Sequence, residues 1–216
     1  MGAPRLRRRI EVDQPRALVL LVHGGLVRSK LPVFEGRPSI GWPHTRHFQD
    51  QLSTRFAARG IEVWALLHRY AGWNSDKHPS PVPDLEWALD EARRLQPGVP
   101  IILVGHSMGA RTCLRVAEDP SLGGLVALCP WYPASEAVPP ARLPLRVAFA
   151  EWDWDCPYPS MRDFLHRARE SGDVRIESMG RDTHYMLRSK RWEAYLLRTV
   201  AELVSAVEAS GARLMP

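Results

Sequence analysis

Ser107, Asp153 and His184 are the residues whose types and order could do chemistry, and that chemistry is nucleophilic attack on an acyl carbon. Ser107 sits in Gly105-His106-Ser107-Met108-Gly109, a G-x-S-x-G string. The residues before it, 99–104, are a short apolar, β-branched run, and residues 110–117 alternate apolar and basic side chains at helical spacing. A serine on so tight a strand-to-helix turn has its hydroxyl pushed into open space. The crowded backbone tolerates only minimal side chains two positions either way. The helix that follows adds its N-terminal N–H groups and partial positive charge beside Ser107. A serine hydroxyl is a poor nucleophile at neutral pH unless an imidazole takes its proton, and the imidazole needs an acid to hold its tautomer and stabilise its charge. The order Ser, then Asp, then His goes with such turns.

Bringing these residues together requires elements that end at one edge of a sheet. Residues 17–22 are an almost continuous apolar run, as in a parallel strand covered on both faces, and they end in His23-Gly24-Gly25. A long loop over 26–46, carrying Pro32, Gly36, Pro38, Gly41 and Pro43, precedes a helix marked by Phe48, Leu52 and Phe56 and stopped by Gly60. Residues 61–67 predict the next strand, and Leu85, Ala88, Leu89, Ala92 and Leu95 the next helix, closed by Pro97-Gly98. After the serine turn come a strand at 123–129, a proline-rich stretch over 130–144, and a strand at 145–150 that empties into Glu151-Trp152-Asp153-Trp154-Asp155. A helix at 161–171, a strand at 174–179, a loop holding His184 and a long periodic helix around 192–207 complete the chain. Strand and helix alternate throughout, so the fold class is α/β, a mainly parallel sheet with helices on both faces. In such a sheet the reactive crevice lies beyond the C-terminal strand ends. His23-Gly24-Gly25, Ser107, Asp153 and His184 all follow predicted strands.

At 216 residues and 45% hydrophobic content, the chain fits one domain, with residues 1–16 as a basic N-terminal arm or edge strand. No signal-peptide core follows Arg5 to Arg9, and no stretch approaches the roughly 18 apolar residues of a membrane span. A soluble, cytoplasmic protein without a membrane partner is expected. Cys113, Cys129 and Cys156 are odd in number and widely spaced, which suits buried thiols in a reducing compartment. With no metal-ligand spacing and no P-loop, neither a metal nor a cofactor is expected. The net charge is +5 and the pI near 9.4. The arginines are scattered along helix faces and loops, and no nucleic-acid motif accompanies Arg5 to Arg9, so no nucleic-acid partner is expected either.

On these residues and their order, the chain resembles the α/β-hydrolase superfamily from Ala17 to the final helix, and within it the small single-domain esterases around the dienelactone-hydrolase-like branch. The resemblance implies an α/β-hydrolase fold with a minimal cap and Ser107 as nucleophile, where dienelactone hydrolases proper use cysteine. The family's acid lies in a pattern matched by Ala150-Glu151-Trp152-Asp153 with Pro157 four residues on, which implies Asp153, with Asp155 as competitor. The family's histidine, between the last strand and last helix, matches His184. An oxyanion hole needs two N–H donors aimed at the developing charge. Met108 supplies one, and the His-Gly-x resemblance points to Gly25 for the other, with Leu26 next in line. Trp73, Trp131, Tyr132, Trp152 and Trp154 follow strand ends and could line a pocket for an apolar or aromatic acyl group, or cap the core. His68 ends a strand on the active edge and could also line the pocket. His106 can pack or hydrogen-bond within its turn.

The function implied is a metal-independent serine hydrolase cleaving a carboxylic ester or thioester through an acyl-enzyme, with a small-molecule acyl substrate and a monomer or homodimer as the assembly. An acyltransferase or lactonase with the same triad is the alternative, as is a non-catalytic ligand-binding protein on the same scaffold.

Overall fold

The apolar run Ala17–Val22 becomes β2, buried along its whole length between two parallel neighbours. The computed structural model describes residues 2–33 and 41–211. Seven strands form one sheet in the order β1-β3-β2-β4-β5-β6-β7: β1 Arg5–Arg8, β2, β3 Ile61–Leu67, β4 Ile101–His106, β5 Leu122–Leu128, β6 Leu145–Phe149 and β7 Val174–Ser178. All pairings are parallel except β1 on β3. The helices are α1 Gly41–Ala57, α2 Val82–Leu95, α3 Met108–Arg115, α4 Tyr158–Ser171 and α5 Ser189–Ala209.

Period-two alternation in the strands divides the core between the sheet's two faces. Ala17, Val19 and Leu21 pack with Phe48, Leu52 and Phe56 of α1 and Trp192, Leu196 and Val200 of α5. Leu18, Leu20 and Val22 pack with Leu85 and Leu89 of α2, Ala110 and Leu114 of α3, and Phe164 of α4. The chain leaves β2 for β3 on one side and returns to β4 on the other, which puts the reversal of strand order between β2 and β4. The turn after β4 and the loop after β2 therefore lie side by side at the crevice where such sheets bind ligands.

Two elements differ from the sequence expectation. The loop expected over 26–46 already holds helix by Gly41, because Pro43 falls in the first turn, where its missing N–H costs nothing. Gly36 and Pro38 of that loop lie outside the described residues. The basic N-terminal stretch is an edge strand whose arginines meet acids. Arg7 pairs with Asp50 at 2.8 Å, Arg9 pairs with the same carboxylate, and Arg8 pairs with Glu62 at 3.5 Å while lying over the Trp64 ring.

Candidate active site

β4 runs straight into Ser107, whose φ of 53° and ψ of −119° are an unusual conformation for a side-chain-bearing residue. The neighbours must be glycine. A Cβ on Gly105 would stand 2.5 Å from the Ala110 backbone, and one on Gly109 would stand 2.2 Å from the Val22 carbonyl oxygen. The turn is thus pressed against β2 on one side and its own helix on the other, and Ser107 is pushed out into a cleft.

His184 follows β7, and its Nδ1 lies 2.9 Å from Oδ2 of Asp153, which follows β6. Oδ1 of Asp153 accepts the backbone N–H groups of Asp155 at 3.0 Å and Cys156 at 2.7 Å. Burial pushes this carboxyl up, but the His184 and Cys156 hydrogen bonds outweigh it and hold Asp153 below its ordinary value. The aspartate therefore stays charged and fixes the imidazole proton on Nδ1, leaving Nε2 without a hydrogen-bond partner among the described residues. Asp155, the competing acid, is exposed and reaches Asp153 only through its backbone.

The sequence reading missed Asp182, which holds the histidine loop. Its carboxylate accepts the backbone N–H groups of Thr183, Leu187 and Arg188 and the Trp192 indole N–H at 2.8 Å, while its carbonyl accepts the N–H of Trp152. One residue thus ties the loops of the acid and the histidine together. The available signal was an acid two residues before His184.

Cys129 supports the acid from below, its thiol donating to Asp153. The ligand atoms of Cys129, Asp153 and His184 lie within 4.8 Å of one another, a grouping that could hold a cation. Burial and the Asp153 charge, however, push the Cys129 thiol well above its ordinary value. In the metal-free site the thiol is therefore protonated and acts as a hydrogen-bond donor. Cys156 stands against Ser107, and burial with the charge of Asp153 pushes its thiol up to about 12, so it too stays protonated.

Two buried histidines set the site's backbone. His106 Nε2 donates to the His184 carbonyl at 3.0 Å, because a carbonyl can only accept. His23 Nδ1 likewise donates to the Gly24 carbonyl at 2.7 Å, and its Nε2 accepts the His68 N–H at 3.1 Å. His68 is therefore part of the support behind the loop after β2 and does not line the cleft. Burial, with the His184 ring beside it, pushes His106 down to about 3, and burial next to His68 pushes His23 well below its ordinary value. Both are neutral in the fold. The unfolded chain takes up protons as pH falls through about 6.5 and the folded chain does not, so this part of the stability is present above that pH and lost below it. His106 contributes roughly 2 kcal/mol of lost stability between about pH 7 and about pH 5, and His23 adds to the loss in the same direction. Urea midpoints at the two pH values measure the loss, and His106→Gln is expected to remove part of the pH dependence.

The loop after β2 decides between the two candidate oxyanion donors. Leu26 is excluded, because its N–H donates to the Ala71 carbonyl at 2.8 Å. No described residue accepts the N–H of Gly25, and Met108, first in α3, has no intrahelical acceptor. A Cβ on Gly25 would stand 2.6 Å from the Ala71 oxygen and 2.7 Å from the Met108 side chain, so Gly25 is packed against the Met108 side chain.

The cleft measures about 230 Å³, and its walls include Leu26, Val27, His44, Trp131, Asp155 and Tyr185. Of the five aromatics expected to line it, only Trp131 does. Trp73 is buried beneath, its ring edge-on to Trp131 at 5.8 Å, with the Arg111 guanidinium packed against both rings at 4.3 and 4.4 Å and anchored by Glu136 at 2.5 Å. Tyr132 turns into the core, its ring on Phe164 and its hydroxyl donating to the Ala110 carbonyl. Trp152 and Trp154, on either side of the buried Asp153 in the loop after β6, point outward into solvent. His44 and Tyr185 take their places. They come from the first turn of α1 and from the residue after His184, and neither follows a strand directly.

Among solved structures, the fold is similar to that of an α/β serine hydrolase homologue from Coxiella burnetii. That likeness has 18% identity and a TM-score of 0.66 over 91% of this chain and 90% of that one. It is also similar to an α/β serine hydrolase without a lid from Xanthomonas campestris (19%, TM-score 0.63, 91% and 86% covered) and to Est1E from Butyrivibrio proteoclasticus bound to ferulic acid (14%, TM-score 0.66, 94% and 96% covered). No curated protein matches the sequence. Residues 19–212 match the alpha/beta hydrolase family, a span that begins within β2 and takes in the serine turn, the acid, the histidine and α5. The chain therefore belongs to the α/β hydrolase family.

Proposed function

We propose that the protein is a serine hydrolase that cleaves carboxylic esters or thioesters through an acyl-enzyme. The observation that carries this reading is the Asp153-fixed His184 ring, lining one cleft with a Ser107 held at positive φ. Ser107 Oγ attacks the acyl carbon as its proton passes to His184 Nε2, and the carbonyl oxygen takes up the electron pair. The N–H groups of Met108 and Gly25 stabilise that oxyanion, each worth on the order of 10²- to 10³-fold in rate. The tetrahedral species collapses, the proton moves from Nε2 to the leaving oxygen or sulfur, and the acyl group stays on Ser107. Water, deprotonated by His184, repeats the sequence and releases the acid. The apolar walls formed by Leu26, Val27 and Trp131 suit an acyl group with a hydrocarbon or aromatic body.

A fluorophosphonate probe tests this directly. One label per chain is expected on the peptide containing Ser107, and none in Ser107→Ala or His184→Ala. Folded wild-type protein that takes no label, or a Ser107→Ala protein that still hydrolyses p-nitrophenyl esters at the wild-type rate, would sink the proposal.

A further inference from the structure

All the exposed large hydrophobic side chains among the described residues stand on three loops around the mouth of the cleft. Leu26, Val27 and Leu31 follow β2, Trp152 and Trp154 follow β6, and Tyr185 and Leu187 follow β7. Trp154 is 88% exposed and Leu187 72%, although neither lines the cleft. Apolar surface gathered this way is costly in water and marks a place where something else is met. Among the described residues, the flanks and back of the molecule show no such cluster.

The charges on the same edge point to the occupant. Arg28 and Lys30 lie on the first of these loops, Lys77 on the neighbouring loop after β3, and Arg181 and Arg188 on the third, all exposed. None forms an ion pair with a described residue, and Arg181 lies over the Trp152 ring at 6.0 Å. The acids of this edge are partly engaged, and the exposed Asp155 forms no ion pair with a described residue. Asp182 is buried under its four donors, Asp76 faces Arg111 at 3.2 Å, and Glu151 accepts from Ser178. Indole rings and aliphatic tips interspersed with free cations fit the boundary between headgroups and acyl chains of an anionic bilayer.

We propose that this rim docks the protein onto an anionic phospholipid surface with the Ser107 cleft facing the lipid. The substrates would then be acyl esters held in that surface and not dispersed in water. The substrate class rests on the hydrolase reading above, whereas the docking does not. Surface attachment needs no spanning segment, and no helix among the described residues is long and apolar enough to cross a membrane. The sequence expectation of no membrane partner rested on the lack of such a segment, which bears only on spanning.

Vesicle co-sedimentation with the Ser107→Ala protein separates docking from hydrolysis, since nothing is cleaved. The protein is expected to sediment with phosphatidylcholine vesicles containing phosphatidylserine and to remain in solution with phosphatidylcholine alone. Replacing both Arg28 and Lys30 by alanine is expected to lower the partition coefficient roughly 30-fold, at about 1 kcal/mol for each cation near the surface. Trp154→Ala with Leu187→Ala is expected to lower it roughly ten-fold or more, and because both side chains are exposed, the thermal midpoint should not move. Equal binding to neutral and anionic vesicles, or binding to neither, overturns the proposal. So does a rim-dependent dimer in sedimentation velocity that Trp154→Ala abolishes, because a second copy would then be the occupant. Failure to bind vesicles would leave the fluorophosphonate test standing, and failure to label would leave the docking result standing.

Discussion

Asp153→Asn is expected to lower kcat on a p-nitrophenyl ester by about 10⁴-fold, the scale of loss when a catalytic imidazole is held in the wrong tautomer. The geometry gives the reason. The Oδ1 position accepts the N–H groups of Asp155 and Cys156, so the asparagine must keep its oxygen there and turn its NH₂ toward His184 Nδ1. Facing a donor, Nδ1 must give up its hydrogen and become the acceptor, and the proton then sits on Nε2. That nitrogen can no longer take the Ser107 proton. The fold should tolerate the change, because the shape and the two backbone hydrogen bonds to the Oδ1 position survive. Asp155→Asn is the control: that side chain is exposed and does not reach His184, so kcat is expected to change less than about three-fold. A large loss in Asp155→Asn with little in Asp153→Asn would reverse the assignment of the acid. Steady-state kinetics of the two variants, with thermal midpoints to show that both fold, decide it.

Much of this site was legible in the sequence because its parts follow strands. A run such as residues 17–22 can only be a strand buried on both faces, and in a parallel sheet every residue just beyond a strand falls on one edge. Ser107, Asp153 and His184 inherit their proximity from that rule. What the sequence could not give was the direction of side chains in loops, where no period governs alternation. Trp73 and Trp154 both follow strands at similar remove, yet one is sealed beneath Arg111 and the other stands in solvent. The difference lies in where Glu136, 25 residues beyond Arg111, brings its carboxylate, and no local pattern records that. Asp182 was missed for a related reason. Its importance comes from the number of donors that converge on it, including an indole ten residues away, and convergence belongs to the folded loop. The start of α1 was hidden by Gly41 and Pro43, residues that read as loop and are equally at home in a helix's first turn. His44, one wall of the cleft, was hidden with it.

Gly109→Ala should separate the demands of packing from those of backbone conformation. Its added methyl would stand 2.2 Å from the Val22 carbonyl oxygen and 2.7 Å from that of His23. Both belong to the central strand or its immediate exit, and Val22 is pinned in register between Leu66 and Gly105, so the strand cannot retreat. The helix α3 must lift instead, carrying Met108 and the serine turn with it. A forced shift of this kind in a close-packed interior costs about 3 kcal/mol, the upper end for overpacking. A displacement of about 1 Å at the nucleophile costs on the order of 10²-fold in rate. Gly98→Ala is the contrast. That glycine has φ +73° with nothing within 4 Å of the added methyl, so the cost is the left-handed backbone alone, roughly 1 kcal/mol, and it falls far from the cleft. Urea unfolding and ester kinetics on the two variants should therefore diverge: both lose stability, and only Gly109→Ala loses rate. Equal stability losses with full activity in both would mean that α3 can shift without moving Ser107, and the close contact between α3 and β2 would no longer explain how the turn is held.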